Sequence, residues 1–126
     1  MKKTVFIAHP IAGDIKDNTR KVLAICGRIH REEQYIPVVP YLVSLQYLND
    51  DVTGDRELGI EANLETLRRG YVDELWLFGE CISKGMEQEI KTALTMGIKV
   101  VAKTEGTRKD LNRFVWVALR SITRES

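Results

Sequence analysis

The 126-residue chain predicts a small doubly wound α/β domain: one parallel sheet of four to five strands, with helices on both faces. Two observations carry this. Hydrophobic spacing alternates along the chain between short β-rich runs and helical stripes, which argues for strands joined by helical crossovers. The strand-like runs are continuously apolar instead of alternating, as strands covered on both faces must be.

The elements follow in order. Thr4 to Ala8 (TVFIA) is the first strand. From Asp17, the residues Val22, Ile25, Cys26 and Ile29 recur at helical spacing, so DNTRKVLAICGRIHREE reads as an amphipathic helix. YIPVVP is the second strand, closed by Pro40. YLVSLQYLNDDVTGD is a long connection with turn residues from Asn49 to Asp55, and it leaves room for one further edge element. Asp55 is placed to cap a second helix with the stripe Ile60, Leu64 and Leu67, and Gly70 lies near its end. DELWLFG is the third strand, SKGMEQEIKTALTMG a helix ending at Gly97, and IKVVAK the fourth strand. RKDLNRFVWVALRSI is a last helix, with Leu111, Phe114, Val115, Ala118 and Ile122 on one side. Right-handed crossovers leave few topologies, and the first of them is strand order 2-1-3-4, a Rossmann- or flavodoxin-like sheet. Residues 1–126 then form a single domain.

Bulk properties exclude several classes. A formal net charge of +1 gives no field for nucleic acid or a membrane surface. No apolar run approaches the roughly 20 residues of a membrane span. Cys26 and Cys81 have no partner at metal-ligand spacing, and a reduced, cytoplasmic setting is expected. The phosphate-loop, dinucleotide, HExxH and GxSxG signatures are absent from the sequence.

Topology says where a site belongs. Open α/β sheets bind ligands beyond the carboxyl ends of the strands, where the winding reverses. Here that point lies between the first and third strands, and the loops meeting there are HPIAGD (His9 to Asp14) and GECISKG (Gly79 to Gly85). In the helix that follows, Met86, Ile90, Ala93 and Leu94 form an apolar arc with Glu89 inside it. Glu87 falls on the margin, with Lys91 four residues on, and is expected to be exposed as a solvated pair. A carboxylate under an apolar roof has its pKa raised, which is how a catalytic acid, base or nucleophile is made beside a crevice. The plainer reading gives Glu89 a hydrogen bond at the rim. Ser83 is either an ordinary N-cap or, with Gly85, part of an anion site at a helix N-terminus. Gly13 suits a positive φ or close approach of a ligand. His9 ends the first strand at the crevice, either packed or catalytic.

VFIAHPIAGD, VDELWLFG and SKGMEQEIKTA together resemble the nucleoside 2-deoxyribosyltransferase-like superfamily, in order, from residue 4 to about residue 103. The most specific piece is Gly85-Met86-x-x-Glu89-Ile90-x-x-Ala93, similar to a family pattern whose glutamate is the nucleophile. The resemblance implies attack by Glu89 on the anomeric carbon of a nucleoside or nucleoside 5′-monophosphate, with expulsion of the base. It implies a phosphate or hydroxyl held by Ser83, Gly85 and Met86, and a base or sugar walled by His9, Pro10 and Gly13. No metal or organic cofactor is needed. The chain departs from the pattern at His9, at Pro10 and Ala12 in place of phosphate ligands, at Lys91, and at Asn63, which falls where the family carries a second acid. A nucleotide-binding or sensing module without turnover is the alternative. The resembled family assembles, and Trp116 on the far side of the last helix gives it a second apolar face, so a homo-oligomer is expected.

Overall fold

The structure, a computed structural model, describes residues 1–114. Four strands, β1 (Lys3–Ala8), β2 (Tyr35–Val38), β3 (Glu74–Leu77) and β4 (Lys99–Ala102), form one sheet in the order β2-β1-β3-β4. Every pairing is parallel. Val5 to Ala8 of β1 sit opposite Glu74 to Leu77 of β3, which in turn sit opposite Lys99 to Ala102 of β4. The reversal lies between β1 and β3, as the hydrophobic pattern requires.

The two faces follow from the alternation of side chains along a strand. Phe6 and Ala8 of β1 join Leu75 and Leu77 of β3 on one face. Leu67 of helix α3 (Asp55–Arg68) and Met86, Ile90 and Ala93 of helix α4 (Lys84–Thr95) cover them. Val5, Ile7, Trp76 and Phe78 occupy the other face, under Ile25 and Ile29 of helix α1 (Ile15–Glu32). None of the helices among the described residues is long and apolar enough to cross a membrane.

Four local details correct the sequence reading. The first helix begins at Ile15, two residues earlier than expected, because the Asp14 side chain accepts the Asp17 N–H as its N-cap. Pro40 does end the second strand, but it also opens a five-residue helix, α2 (Pro40–Ser44). Proline's fixed φ and missing N–H suit the first helical position. The further element of the long connection is thus this helix and not an edge strand. Asp55 does not cap α3: Gly54, at φ 93°, holds that position, and Asp55 instead accepts the Asn49 N–H at 3.0 Å. The last helix starts before RKD, with residues 105–114 helical, and Leu111 and Phe114 pack on the core as their stripe predicts. The remainder of that stripe, and Trp116, lie outside the described residues.

Candidate functional site

The sheet offers two buried carboxylates for comparison. Glu74 starts β3 and is 7% exposed. The Tyr35 hydroxyl and the Trp76 indole N–H donate to it at 3.2 and 3.1 Å, and Lys3 Nζ lies 3.8 Å away. That is how a structural carboxylate is accommodated: each oxygen has a donor, and a cation stands by. Glu89, on the second turn of α4, is 6% exposed. No hydrogen bond or ion pair among the described residues reaches its carboxyl. Desolvation without compensation pushes its pKa from 4.5 up to about 8. At neutral pH it is mostly the neutral acid.

Glu89 occupies this position because α4 presents it within the same stripe as Met86, Ile90 and Ala93, which all pack on Leu75 and Leu77 of the sheet. Glu87 is half-buried, not exposed as its spacing implied. Its expected partner Lys91 turns away, with Nζ 5.9 Å from the centre of the Phe114 ring. The phenylalanine face attracts the ammonium, and the expected helix pair does not form.

Tyr41 is the functional candidate that sequence reasoning missed. It sits on α2, is buried, and donates its hydroxyl to the Ile7 carbonyl near the carboxyl end of β1. Burial pushes the phenol well above its usual pKa, and the neighbouring Glu89 charge raises it further. Tyr41 and Met86, one turn before Glu89 on α4, share one core cluster. A five-residue helix is too short to show a period, so the sequence carries no signal for it.

The two predicted loops meet. Gly79, at φ +96°, packs so closely that a Cβ there would fall 2.5 Å from Pro10 Cδ. Asn18 of α1 donates to the carbonyls of Ile11 and Ala12 at 3.0 and 3.5 Å and pins the β1 loop. Thr104 donates to the Gly79 carbonyl at 2.7 Å, and Asp110 accepts the Ile82 N–H at 2.9 Å, which pins the β3 loop. Gly106 lets the last helix lie against Glu80, where a Cβ would meet the Glu80 carbonyl at 1.9 Å.

Between these loops opens a cleft of about 610 Å³, lined among others by His9, Pro10, Asn18, Glu80, Cys81 and Thr104. Of the predicted site residues, His9 and Pro10 line it; Gly13, Asn63, Ser83, Gly85, Met86 and Glu89 lie outside its lining. Gly13 is exposed with φ 100°, so its backbone turn explains the glycine. Ser83 is the N-cap of α4 and accepts the Met86 N–H at 3.3 Å. That leaves the Lys84 and Gly85 amides, both in the first turn, with no helical partner. Space above Gly85 is open: a Cβ there meets nothing within 4 Å. Met86 is buried in the core cluster with Tyr41, a packing residue one turn before Glu89. Asn63, on α3, has a buried Oδ1 without a hydrogen-bond partner among the described residues.

No three histidine, cysteine or acidic side chains among the described residues stand close enough to hold a metal. Both Cys26 and Cys81 are free thiols. No curated protein matches the chain. A family profile described as a domain of unknown function, DUF7768, matches residues 3–103, which spans the whole sheet and both loops, and the chain belongs to that family.

Proposed function

We propose that this protein cleaves or transfers at the N-glycosidic bond of a nucleoside or nucleoside 5′-monophosphate, with Glu89 as the nucleophile. One observation carries the reading. A carboxyl is buried with no donor among the described residues, at the end of the sheet where such folds bind ligands. Burying a polar group without compensation costs stability, and such costs concentrate at functional sites.

The chemistry suits that environment. Glu89 as carboxylate attacks the anomeric carbon while the C–N bond to the base breaks. The transition state carries positive charge on the sugar, which a desolvated carboxylate stabilises strongly. Keeping the resting side chain neutral is a small penalty. With a pKa of about 8, ionising it at pH 7 costs about 1.4 kcal/mol. Water or a second base then attacks the glycosyl ester and releases Glu89. Ser83 and the free amides at the start of α4 suit a 5′-phosphate. Asn63 Oδ1, buried and without a partner among the described residues, suits a sugar hydroxyl. The resemblance to the nucleoside 2-deoxyribosyltransferase-like superfamily points the same way and adds the expectation of a homo-oligomer.

A panel of ribo- and deoxyribonucleosides and their 5′-monophosphates, read by chromatography for free base, tests this. Release of base by the wild type and its loss in Glu89→Gln support the reading. Base release unchanged in that variant ends it. One feature favours the second reading, a binding or sensing module: a neutral Glu89 donates a hydrogen bond to a ribose oxygen without attacking anything. Saturable nucleotide binding with no base released would select that reading.

A further inference from the structure

His9 is held in one tautomer. Its Nδ1 lies 2.6 Å from the Pro10 carbonyl oxygen. A carbonyl only accepts, so Nδ1 carries the proton and donates it. Nε2 is then left as the free ring nitrogen. It points to the Gly79 side of the cleft, 3.7 Å from where a Cβ of Gly79 would stand. That glycine leaves the approach open. The loop carrying His9 is itself fixed, through the Asn18 bonds to Ile11 and Ala12 and the packing of Pro10 on Gly79. A half-buried imidazole with one nitrogen anchored and the other on the Gly79 side of the cleft is placed to pass a proton.

The cleft and Glu89 are joined by a short stretch of chain. Cys81 of the cleft is two residues before Ser83, the cap of α4. Glu89 is six residues further, about 9 Å along the axis at the rise of an α-helix. Its side chain leans back toward the helix N-terminus, shortening the gap.

We propose that His9 Nε2 is the proton donor to the leaving base and the proton acceptor from the incoming nucleophile, and that the cleft holds these groups. This rests on the reading of Glu89 given above. In the first step the C–N bond breaks and a Glu89 oxygen bonds to the anomeric carbon. The electron pair stays on the base nitrogen, which takes the proton from Nε2 of the imidazolium. In the second step water, or the N–H of a second base, attacks the anomeric carbon. The ester bond to Glu89 breaks, the carboxylate is restored, and the proton goes to Nε2. Each cycle returns the imidazolium.

The test compares nucleosides with 4-nitrophenyl ribofuranoside and its 2-deoxy analogue, whose phenolate leaves without a proton. His9→Asn retains an amide donor close to the place of Nδ1 and has no Nε2. The variant is expected to lose on the order of 100-fold or more in kcat/KM on nucleosides, the range of general acid catalysis, while kcat/KM on the nitrophenyl substrates, which reads only the first step, stays within a few-fold of wild type and their kcat falls with the loss of the second-step base. ¹⁵N NMR of the wild-type histidines is expected to show His9 with Nδ1 protonated in its neutral form. Equal losses of kcat/KM on both leaving groups, or an Nε2-protonated neutral form, overturn the proposal alone. A wild type that cleaves neither class overturns the glycosidic reading and this role together.

Discussion

Replacing Glu89 by Gln should make the protein more stable, and increasingly so as pH rises. The carboxyl titrates at 4.5 when free and at about 8 in the fold. Between those values the folded chain holds a proton that the unfolded chain releases, so stability falls with rising pH. The contribution of the neutral carboxyl is complete below pH 4.5 and is lost as the pH climbs through about 8. Gln does not titrate and escapes the penalty. Integrating the difference puts the gain at about 1 kcal/mol at pH 5, about 3 at pH 7 and about 4 at pH 8. A fixed offset from altered packing or hydrogen bonding of the amide moves all three values equally. The slope is therefore the diagnostic quantity. Urea unfolding of both proteins at these pH values, with the midpoints and slopes fitted together, measures it. Other titrating groups cancel in the difference between wild type and variant. A stability difference that stays flat from pH 5 to pH 8 would falsify the claim that Glu89 is an uncompensated buried carboxyl. A difference that moves against the variant as pH rises would show a hidden cation beside it.

The same titration sets an activity profile on the nitrophenyl substrates, whose leaving group needs no proton from His9: kcat/KM is expected to rise with pH toward a plateau above about 8, and a profile that is flat over pH 6 to 8 would exclude attack by ionised Glu89. Gly106→Ala drives a Cβ to 1.9 Å from the Glu80 carbonyl and is expected to cost about 1–3 kcal/mol, the usual scale of overpacking; thermal unfolding checks it. Gly85→Ala meets open space and is expected to gain up to about 1 kcal/mol of helix propensity; if the α4 terminus holds a phosphate, the same variant weakens nucleotide binding, which calorimetry reads. Tyr41 is one of four tyrosines and the most strongly shifted upward by burial, so alkaline spectrophotometric titration should leave one phenol un-ionised until the fold is lost, and Tyr41→Phe should remove that late phase.

The sheet was legible because its signals are redundant. VFIA of β1 and LWL of β3 are apolar throughout, and parallel strands covered on both faces must be. The intervening helices have stripes long enough to show a period. Glu89 was legible for the same reason, since α4 runs twelve residues and an acid inside its stripe stands out. The misplaced features are those where short-range chemistry decides. Asp14 accepts from Asp17, Gly54 takes the cap in place of Asp55, and Lys91 prefers a phenylalanine face to Glu87. Each is a choice between two local partners of similar energy, which spacing does not rank. Tyr41 was illegible for a different reason: its place arises from tertiary approach, α2 folding back on β1. The meeting of the His9 and Gly79 loops was legible from topology, and only the closing of Gly79 on Pro10 was not.

Glu74 and Glu89 set a carboxyl with donors beside one with none among the described residues. Both sit at nearly the same exposure, and both follow apolar patterning that offers them no water. Yet Glu74 has been given Tyr35, Trp76 and Lys3 at the amino end of the sheet. Glu89, on the helix that follows the carboxyl end of β3, has been given an apolar roof and a tyrosine whose proton is already committed to Ile7. Stability alone would favour a glutamine, a leucine or a donor at position 89, by the few kcal/mol worked out above. The same desolvation that weakens the fold strengthens the carboxylate as a nucleophile toward a cationic sugar. Among the described residues the carboxyl left without a donor is the one on α4, the helix that follows the carboxyl end of β3, while the acid at the amino end of β3 has its donors; that contrast is what the nucleophile proposed above would need.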